Sequence, residues 1–450
     1  MLGLLRRWAA RSVVGGVVGM GDGTGFQAVF GAALGLVAPW KVMSVEFDRG
    51  AGRLDIGVGF ARGSKFACPV PGCAQSSCPA HDTLDKSWRH LDFFQHQAYL
   101  HASVPRTDCP EHGVHLIEVS WARPGSGFTL LFEAALLSYA QYMAVAPLAA
   151  MAGEHDTRVW RVLEHHVNTA RAGLDFSAVT DIGMDETSAR RGHDYVSIFM
   201  DLTARRVLFA TTGKDAATVE AFADDLDAHG GTSGTQIARV TCDMSPAFIT
   251  GVRKHLSTPA GIDEVTGQPV DAHVPQIVFD RFHVVAKANE AVDEVRRAET
   301  KTRPELKRSR YVWLKNDANL TATQRTQLVW LSRPSMGLAT TRAARWRDDF
   351  NGFYDQSTPQ AAEAYLRRWC YGAKRSRLEP IKKFVRMIES HWDGIMAWAD
   401  HRITNGLLEG TNSLIQSAKR RARGYRSTDK MITVIYLTAG KLPLPQIHTI

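Results

Sequence analysis

Between Val179 and Asp280 an apolar run of strand length leads three times into an aspartate: Asp185, Asp243 and Asp280. Val179–Asp185, Tyr195–Leu202 and Arg206–Thr212 are successive β-like runs. Gly192 and the Thr203-Ala204-Arg205 turn separate them, which predicts an antiparallel meander. The spacing of Ala217, Val219, Phe222 and Leu226 then predicts a helix, followed by a strand over Ile237–Cys242. Pro246 suits the first turn of another helix, and Val274–Phe279 reads as a further strand.

Three antiparallel strands followed by helix, strand, helix, strand is the ribonuclease H order. In that order the first and fourth strands are neighbours, so Asp185 and Asp243 point into one crevice beyond the strand ends. A third acid lies far downstream, in Asn405-Gly406-Leu407-Leu408-Glu409-Gly410-Thr411-Asn412-Ser413. Lys419-Arg420-Arg421-Ala422-Arg423-Gly424-Tyr425 follows at once. An acid that holds a divalent metal, with cations one to three turns later that grip a phosphate backbone, explains that order. Asp185, Asp243 and Glu409 are therefore expected to converge tightly enough to share two Mg²⁺ (or Mn²⁺) ions. Each acid also has a plain reading: Asp243 before Ser245-Pro246 is a good helix cap.

The chain has 450 residues, enough for two to four domains, and a net charge of +8. The positive excess is gathered in blocks at 299–310, 342–347, 374–386 and 419–426, which points to phosphate backbones as partners. No run of eighteen apolar residues occurs, so no membrane span is expected. Met1 to Met20 loosely resembles a signal peptide but lacks a small-residue cleavage site, and Met20 is an alternative start. Cys242 and Cys370 stand alone, as buried reduced thiols of a cytoplasmic protein do.

The other four cysteines fall in one window. Cys68-x4-Cys73 and Cys109-x2-His112 are two ligand pairs with room for a small hairpin between them, the arrangement of a structural Zn²⁺ site. Cys78 and His81 form a second Cys-x2-His pair, so the ligand set stays open. A β-hairpin precedes the window (Lys41 to Phe60, turning at Gly50 and Gly52), and helical spacing follows it from Phe128 to Ala172. A short helix at Val145–Met151, a Gly153 turn and a longer helix opening on Thr157-Arg158-Val159-Trp160-Arg161 have helix-turn-helix proportions. Thr157, Arg158 and Arg161 would then face DNA, while Val159, Leu163 and Val167 face a core. A three-helix packing unit with no ligand accounts for the same spacing. Residues 286–400 read as almost wholly helical, and the tryptophans there sit at core spacing.

The motifs Asp185-Glu186-Thr187 with Arg191-Gly192-His193-Asp194-Tyr195, Asp243-Met244-Ser245-Pro246-Ala247-Phe248, Asp280-Arg281-Phe282-His283-Val284-Val285 and Asn405 to Gly410, in this order, resemble the DDE transposases of the insertion-sequence L-three (ISL3) family. The resemblance runs from about Phe26 to beyond Tyr436. It implies a multidomain α+β protein with a ribonuclease H-like core interrupted by an α-helical insertion, an N-terminal zinc-binding module and a helix-turn-helix-like segment. By position, Asp185, Asp243 and Glu409 match the family's catalytic triad. Asp280 and His283 match an Asp-x-x-His element that lies near the site. The Cys68-Pro-Val-Pro-Gly-Cys73 loop and the extra Cys78 depart from the family pattern.

The expected division is an N-terminal extension (1–40), hairpin and zinc module (41–122), DNA-binding helices (123–175), first part of the core (176–289), insertion (290–395) and last part of the core (396–450). The expected partners are double-stranded DNA, as terminal inverted repeats and as target, and further copies of the chain in a dimer or larger assembly. Lys419, Arg420, Arg421 and Arg423 join Thr157, Arg158 and Arg161 as expected DNA contacts. Two rival readings keep the fold and change the function. One is a regulator that binds DNA without catalysis; the other is a ribonuclease H-like nuclease or junction resolvase.

Overall fold

The computed structural model describes residues 24–190, 194–262, 269–402 and 406–447. The Met1–Met20 segment, Arg191-Gly192-His193 and Asn405, read above, lie outside the described residues. The protein is a mixed α+β chain that forms two compact units, one running to Tyr139 and the other from Ala140 to Leu444. The boundary at Tyr139 falls inside the stretch expected to form one helical segment.

In the N-terminal unit, helix α1 (Thr24–Ala33) precedes strands β1 (Trp40–Asp48), β2 (Arg53–Phe60), β3 (Lys65–Phe66), β4 (Cys78–Phe93), β5 (His96–Cys109) and β6 (Gly113–Leu116); α2 is Leu130–Ala140. The sheet order is β1-β2-β5-β4-β3, with β6 on β5. The small hairpin expected between the zinc-ligand pairs is instead a 16-residue strand paired with a 14-residue strand. The alternation on β5 explains this, because Ala98, Leu100, Ala102 and Val104 are all buried. They share a core with Leu54, Ile56 and Val58 of β2 and with Trp40, Trp88 and Trp121. The Trp121 ring meets the other two edge-on, at 5.0 Å and 5.6 Å.

The second unit opens with α3 (Val145–Ala152) and α4 (Asp156–Ala172). Gly153 takes the left-handed conformation (φ 67°) between them, and its N–H closes α3. A mixed sheet follows: β7 (Asp181–Ser188), β8 (Tyr195–Asp201), β9 (Arg206–Thr212), β10 (Arg239–Cys242) and β13 (Gln276–Phe279). A two-stranded piece, β11 (Gly261–Ile262) and β12 (Pro269–Val270), lies between the last two in sequence. The main sheet has the order β13-β10-β7-β8-β9. β7, β8 and β9 pair antiparallel, while β10 is parallel to both β7 and β13. β7 runs on to Ser188, three residues past its expected end, because β8 pairs with it through Ser188↔Tyr195.

Helices α5 (Ala216–Ala228), α6 (Ser233–Gln236) and α7 (Pro246–His255) connect the strands, and Phe222 of α5 stacks on Phe199 of β8 at 4.5 Å. After β13 come α8 (Arg281–Glu299), α9 (Arg310–Leu314), α10 (Ala322–Leu331), α11 (Ala339–Asn351), α12 (Pro359–Ala373), α13 (Glu379–Ser390) and α14 (Trp392–His401). Their tryptophans Trp313, Trp369 and Trp398 are buried, as core spacing predicts, while Trp346 and Trp392 are half-buried and Trp330, 41% exposed, departs from that reading. α15 (Gly406–Arg421) and α16 (Thr428–Ala439) return to the sheet. Ala210 N–H of β9 donates to the Tyr436 hydroxyl of α16 at 2.9 Å.

Candidate active site and metal centre

The parallel pairing of β7, β10 and β13 decides where the aspartates fall. Gly183 is level with Thr241, and Thr241 is level with Val278. Two residues further along each strand stand Asp185, Asp243 and Asp280. Continued over those two residues, the register sets three carboxylates side by side, Asp185 within β7 and Asp243 and Asp280 just past the ends of β10 and β13, with Asp243 in the middle. Adjacent strands lie about 4.8 Å apart, so the three charges share one neighbourhood.

Burial raises the Asp185 carboxyl above the usual range, and the charges of Asp243 and Asp280 push the same way. The Glu186 N–H and the His283 ring partly offset them. Glu186 is raised too, first by burial and then by Asp243, against the pull of Lys214. Asp280 caps α8 through the Phe282 N–H at 3.2 Å, and its other oxygen lies 3.9 Å from His283 Nε2. Asp243 accepts the Ser245 N–H at 2.9 Å ahead of α7. The capping reading therefore holds for Asp280, whereas Asp243 closes a turn onto Ser245, the N-cap residue of α7, and does not cap the helix itself.

α15 lies along β7 in step with it. Residues 183, 185 and 187 point to one face of the sheet, since side chains on a strand alternate. A Cβ on Gly183 would come within 2.4 Å of Leu408 Cδ1, so glycine is required at this contact. Asn412 Nδ2 donates to Asp185 Oδ2 at 2.7 Å, and Gln416 Nε2 donates to Thr187 Oγ1 at 2.7 Å. Two strand residues advance about 6.7 Å and four helical residues about 6 Å, which keeps the pairing matched over this length. Glu409 is exposed one helical turn before Asn412, on the same side of α15. Glu409 and Asp280 line a common cleft. Oxygen donors in this number, with raised carboxyls, suit a hard divalent cation. Among the described residues, however, Asp185, Asp243 and Glu409 do not form a group with all ligand atoms within 4.8 Å of one another.

The cysteine window does form such a group. Cys68, Cys73, Cys109 and His112 bring one ligand atom each to within 4.8 Å of all the others. Cys73 Sγ lies 3.8 Å from Cys109 Sγ, and His112 Nδ1 lies 3.8 Å and 3.7 Å from the Cys68 and Cys109 sulfurs. A tetrahedron with zinc–sulfur bonds of about 2.3 Å has edges of about 3.8 Å, so the spacing fits zinc. The two knuckles are tight turns, in which Gly72 (φ 81°) and Gly113 (φ 75°) take left-handed backbone. Hydrogen bonds from His112 and the backbone overcome burial and bring the Cys109 thiol down to about 6. Cys78 is buried beside the group and faces the Gln75 carbonyl at 3.9 Å, while His81 pairs with Asp82 at 3.6 Å. The open choice of ligands thus falls on Cys109-x2-His112 with Cys68 and Cys73.

Of the expected DNA contacts, Arg161 projects from α4 and is exposed. Thr157 is turned back to His155 Nδ1 at 2.9 Å, and Arg158 pairs with Glu154. Trp160 of α4 is buried, with Tyr425 at 6.4 Å and Lys430 Nζ 4.9 Å above its ring. Arg420 and Arg423 are exposed. Lys419 donates to the Ser188 carbonyl at 2.7 Å and Arg421 to the Tyr142 carbonyl at 2.6 Å, so these two cations hold the fold together. Sequence reasoning missed Asn412 and Glu186. Asn412 stands three residues after Glu409, the spacing of one helical face, and that signal was available.

Comparison with known proteins settles the family. A model described as "Transposase" matches residues 182–435, more than half of the chain. The chain belongs to the ISL3 family of transposases. A model of the helix-turn-helix domain of transposase family ISL3 matches residues 117–167, covering α3 and most of α4. A model of the zinc-finger of transposases IS204/IS1001/IS1096/IS1165 matches residues 65–112, the span from the first strand of the cysteine window to His112. The transposase for insertion sequence element IS1557 of Mycobacterium tuberculosis is 30% identical over 400 residues, covering 81% of this chain and 84% of that protein. The transposase for insertion sequence element IS1001 of Bordetella parapertussis is 26% identical over 371 residues, covering 79% and 85%. For this family member, DNA is the partner of the helix-turn-helix, and the cysteine cluster is the place for structural zinc. No helix of the described residues is long and apolar enough to cross a membrane.

Proposed function

We propose that this transposase moves its insertion sequence by DDE chemistry, with Asp185, Asp243 and Glu409 as the metal-binding acids. The observation that carries this is the level row of aspartates on three adjacent parallel strands, faced by a helix that contacts Asp185 one turn after Glu409. The strand order, with three antiparallel strands and two parallel ones added beside the first, supports a ribonuclease H-like core. Helices α8 to α14, between β13 and α15, are then an insertion of about 290–395 between core parts 176–289 and 396–450. Residues 41–122 form the zinc module and 123–175 the DNA-binding helices that together recognise the terminal inverted repeats.

Bound Mg²⁺ or Mn²⁺ would lower the pKa of the attacking hydroxyl and offset charge on the leaving oxygen. The protein supplies the geometry. Asp185 stands within β7 and Asp243 directly after β10, and Glu409 is carried by a helix indexed to β7. Asp280 and His283, at the edge of the row, adjust its charge and border the cleaved strand. Attack by water frees a 3′-hydroxyl, which then attacks target DNA with no covalent protein intermediate. Two ends must be joined, so the working form is a dimer or larger assembly on DNA, acting in the cytoplasm at the nucleoid.

The test is cleavage and joining of duplexes that carry the element's ends. Asp243→Asn and Glu409→Gln should each lower both steps at least about a thousandfold while leaving DNA binding in place. Full activity in either variant sinks the assignment of roles. Hydrolysis without joining by the unaltered protein would favour a nuclease instead.

A further inference from the structure

Next to the acid row lies a cleft of about 910 Å³, bounded by the first turn of α8 and by α9, α10 and α11. Asp280 and Glu409 form part of its wall, so whatever fills it is continuous with whatever lies on the acids. The rest of the lining is mixed in a telling way. Phe282, Val285, Leu314 and Leu328 make much of it apolar, whereas Lys315 and Arg345 bring exposed cations to it. A DNA backbone has no use for apolar walls, and a protein core would not place exposed cations there, Lys315 on the Gln324 side-chain oxygen at 3.3 Å and Arg345 in a lining that also holds Asp317 and Asp348.

Two side chains are costly unless something meets them. Phe282 is 60% exposed directly after the acid and arginine of its own helix turn, an unfavourable place for a large ring. Trp313 also borders the cleft, although its indole N–H is turned into the protein, buried and without an acceptor among the described residues. An aromatic face and nearby cations are what a nucleobase on its sugar-phosphate offers partners to. The cleft is within the size range of small-ligand sites and far too small for a duplex.

We propose that this cleft receives an unstacked nucleotide from the DNA strand being processed, its base lying against Phe282 and its phosphate beside Lys315 and Arg345. The proposal rests on the DDE reading of the acid row, which brings a strand to the cleft mouth. Phe282 is then a residue that sets the strand's position at the cut.

The test uses the full-length protein and pre-nicked duplexes ending in the insertion sequence's own termini. 2-Aminopurine replaces one base at a time within about three nucleotides of the nick. At one position emission should rise severalfold on binding, because the probe leaves the stack. Phe282→Ala should reduce that rise to less than about twofold at the same DNA saturation, and Phe282→Tyr should keep it. On intact ends Phe282→Ala should slow cleavage about tenfold, and an abasic site at the responding position should restore most of the loss. Retained zinc content and an unchanged melting curve show that the variant folds. No responding position, or a response indifferent to Phe282→Ala, overturns the proposal. If the unaltered protein cuts and joins ends while no position unstacks, the cleft assignment alone fails. If it neither cuts nor joins them, the DDE reading fails with it.

Discussion

The two candidate metal centres of this transposase are assembled to different degrees. The cysteine group has its four ligand atoms already within 4.8 Å of one another. The carboxylate row is aligned by its strands, yet Glu409 is exposed on the helix that faces it, and burial with the neighbouring acids raises the Asp185 carboxyl above the usual range. Chemistry accounts for the difference. Thiols are small, apolar when neutral and close-packing, so Cys68, Cys78 and Cys109 can sit together as a buried cluster before any ion arrives. Carboxylates repel one another and resist burial, so the backbone can bring their strands together but cannot draw the charges into contact. A preassembled centre behaves as part of the fold, whereas an aligned but open one behaves as a place for exchangeable ions and substrate.

The sharpest way to break that contrast is to remove each metal. Zinc should bind at one ion per chain, and Cys109→Ser should abolish it, at a cost on the order of 10 kcal/mol to the local structure. Hydrogen exchange should then show lost protection at 65–78 and 109–116 while the buried strand around Leu100 stays protected. Persistence of zinc in Cys109→Ser would mean that Cys78 has entered the ligand set. Depletion of Mg²⁺, by contrast, should stop catalysis and leave the fold intact.

A smaller effect probes the alignment of the open centre. Asn412 gives Asp185 a neutral donor on the oxygen that its own backbone neighbour does not use. Removing a hydrogen-bond partner of a metal ligand typically costs tenfold to a hundredfold, so about that loss of cleavage is expected for Asn412→Ala. The Mg²⁺ concentration for half-maximal rate should rise, and the rise in melting temperature caused by Mn²⁺ should shrink. Wild-type metal dependence in this variant would show that Asp185 needs no outside support.

The same contrast decides what could be read from the sequence. The order of β7, β8, β9, β10 and β13 was legible because each is an apolar run with a turn or an aspartate at its end, whereas the two-residue strands β11 and β12 went unread; parallel pairing then made neighbours of Asp185 and Asp243. The zinc pairs were legible from spacing alone. The choice between His112 and the Cys78–His81 pair was not, because both have the same short spacing and only the long β4–β5 hairpin selects between them. Lys419 looked like a phosphate contact because a basic run looks the same whether it faces DNA or a carbonyl at a strand end. Ser188, its acceptor, lies 231 residues away, and no local pattern reports that contact. Asn412 escaped notice for a related reason: an amide beside an acid is common, and its meaning comes from the strand it faces.

The smallest expected effect concerns acid, and it separates zinc from the core of the N-terminal unit. His90 is half-buried, with Nδ1 2.9 Å from the Thr129 hydroxyl. Burial, together with the neighbouring Arg89 cation, pushes its pKa down from 6.5 to about 4. Between those values the unfolded chain binds a proton that the folded unit refuses, so stability must fall as the pH drops through that window. At pH 5 this amounts to about 2 kcal/mol relative to neutral pH. The zinc ligands also protonate in acid, and a simple pH titration would mix the two effects. His90→Gln separates them, since glutamine can still reach Thr129 but does not titrate. Denaturant unfolding at pH 7.5 and pH 5 should show the unaltered protein losing about 2 kcal/mol more than His90→Gln, with zinc content matched. Equal losses would assign the whole acid sensitivity to the preassembled zinc centre and none to the sheet beneath it.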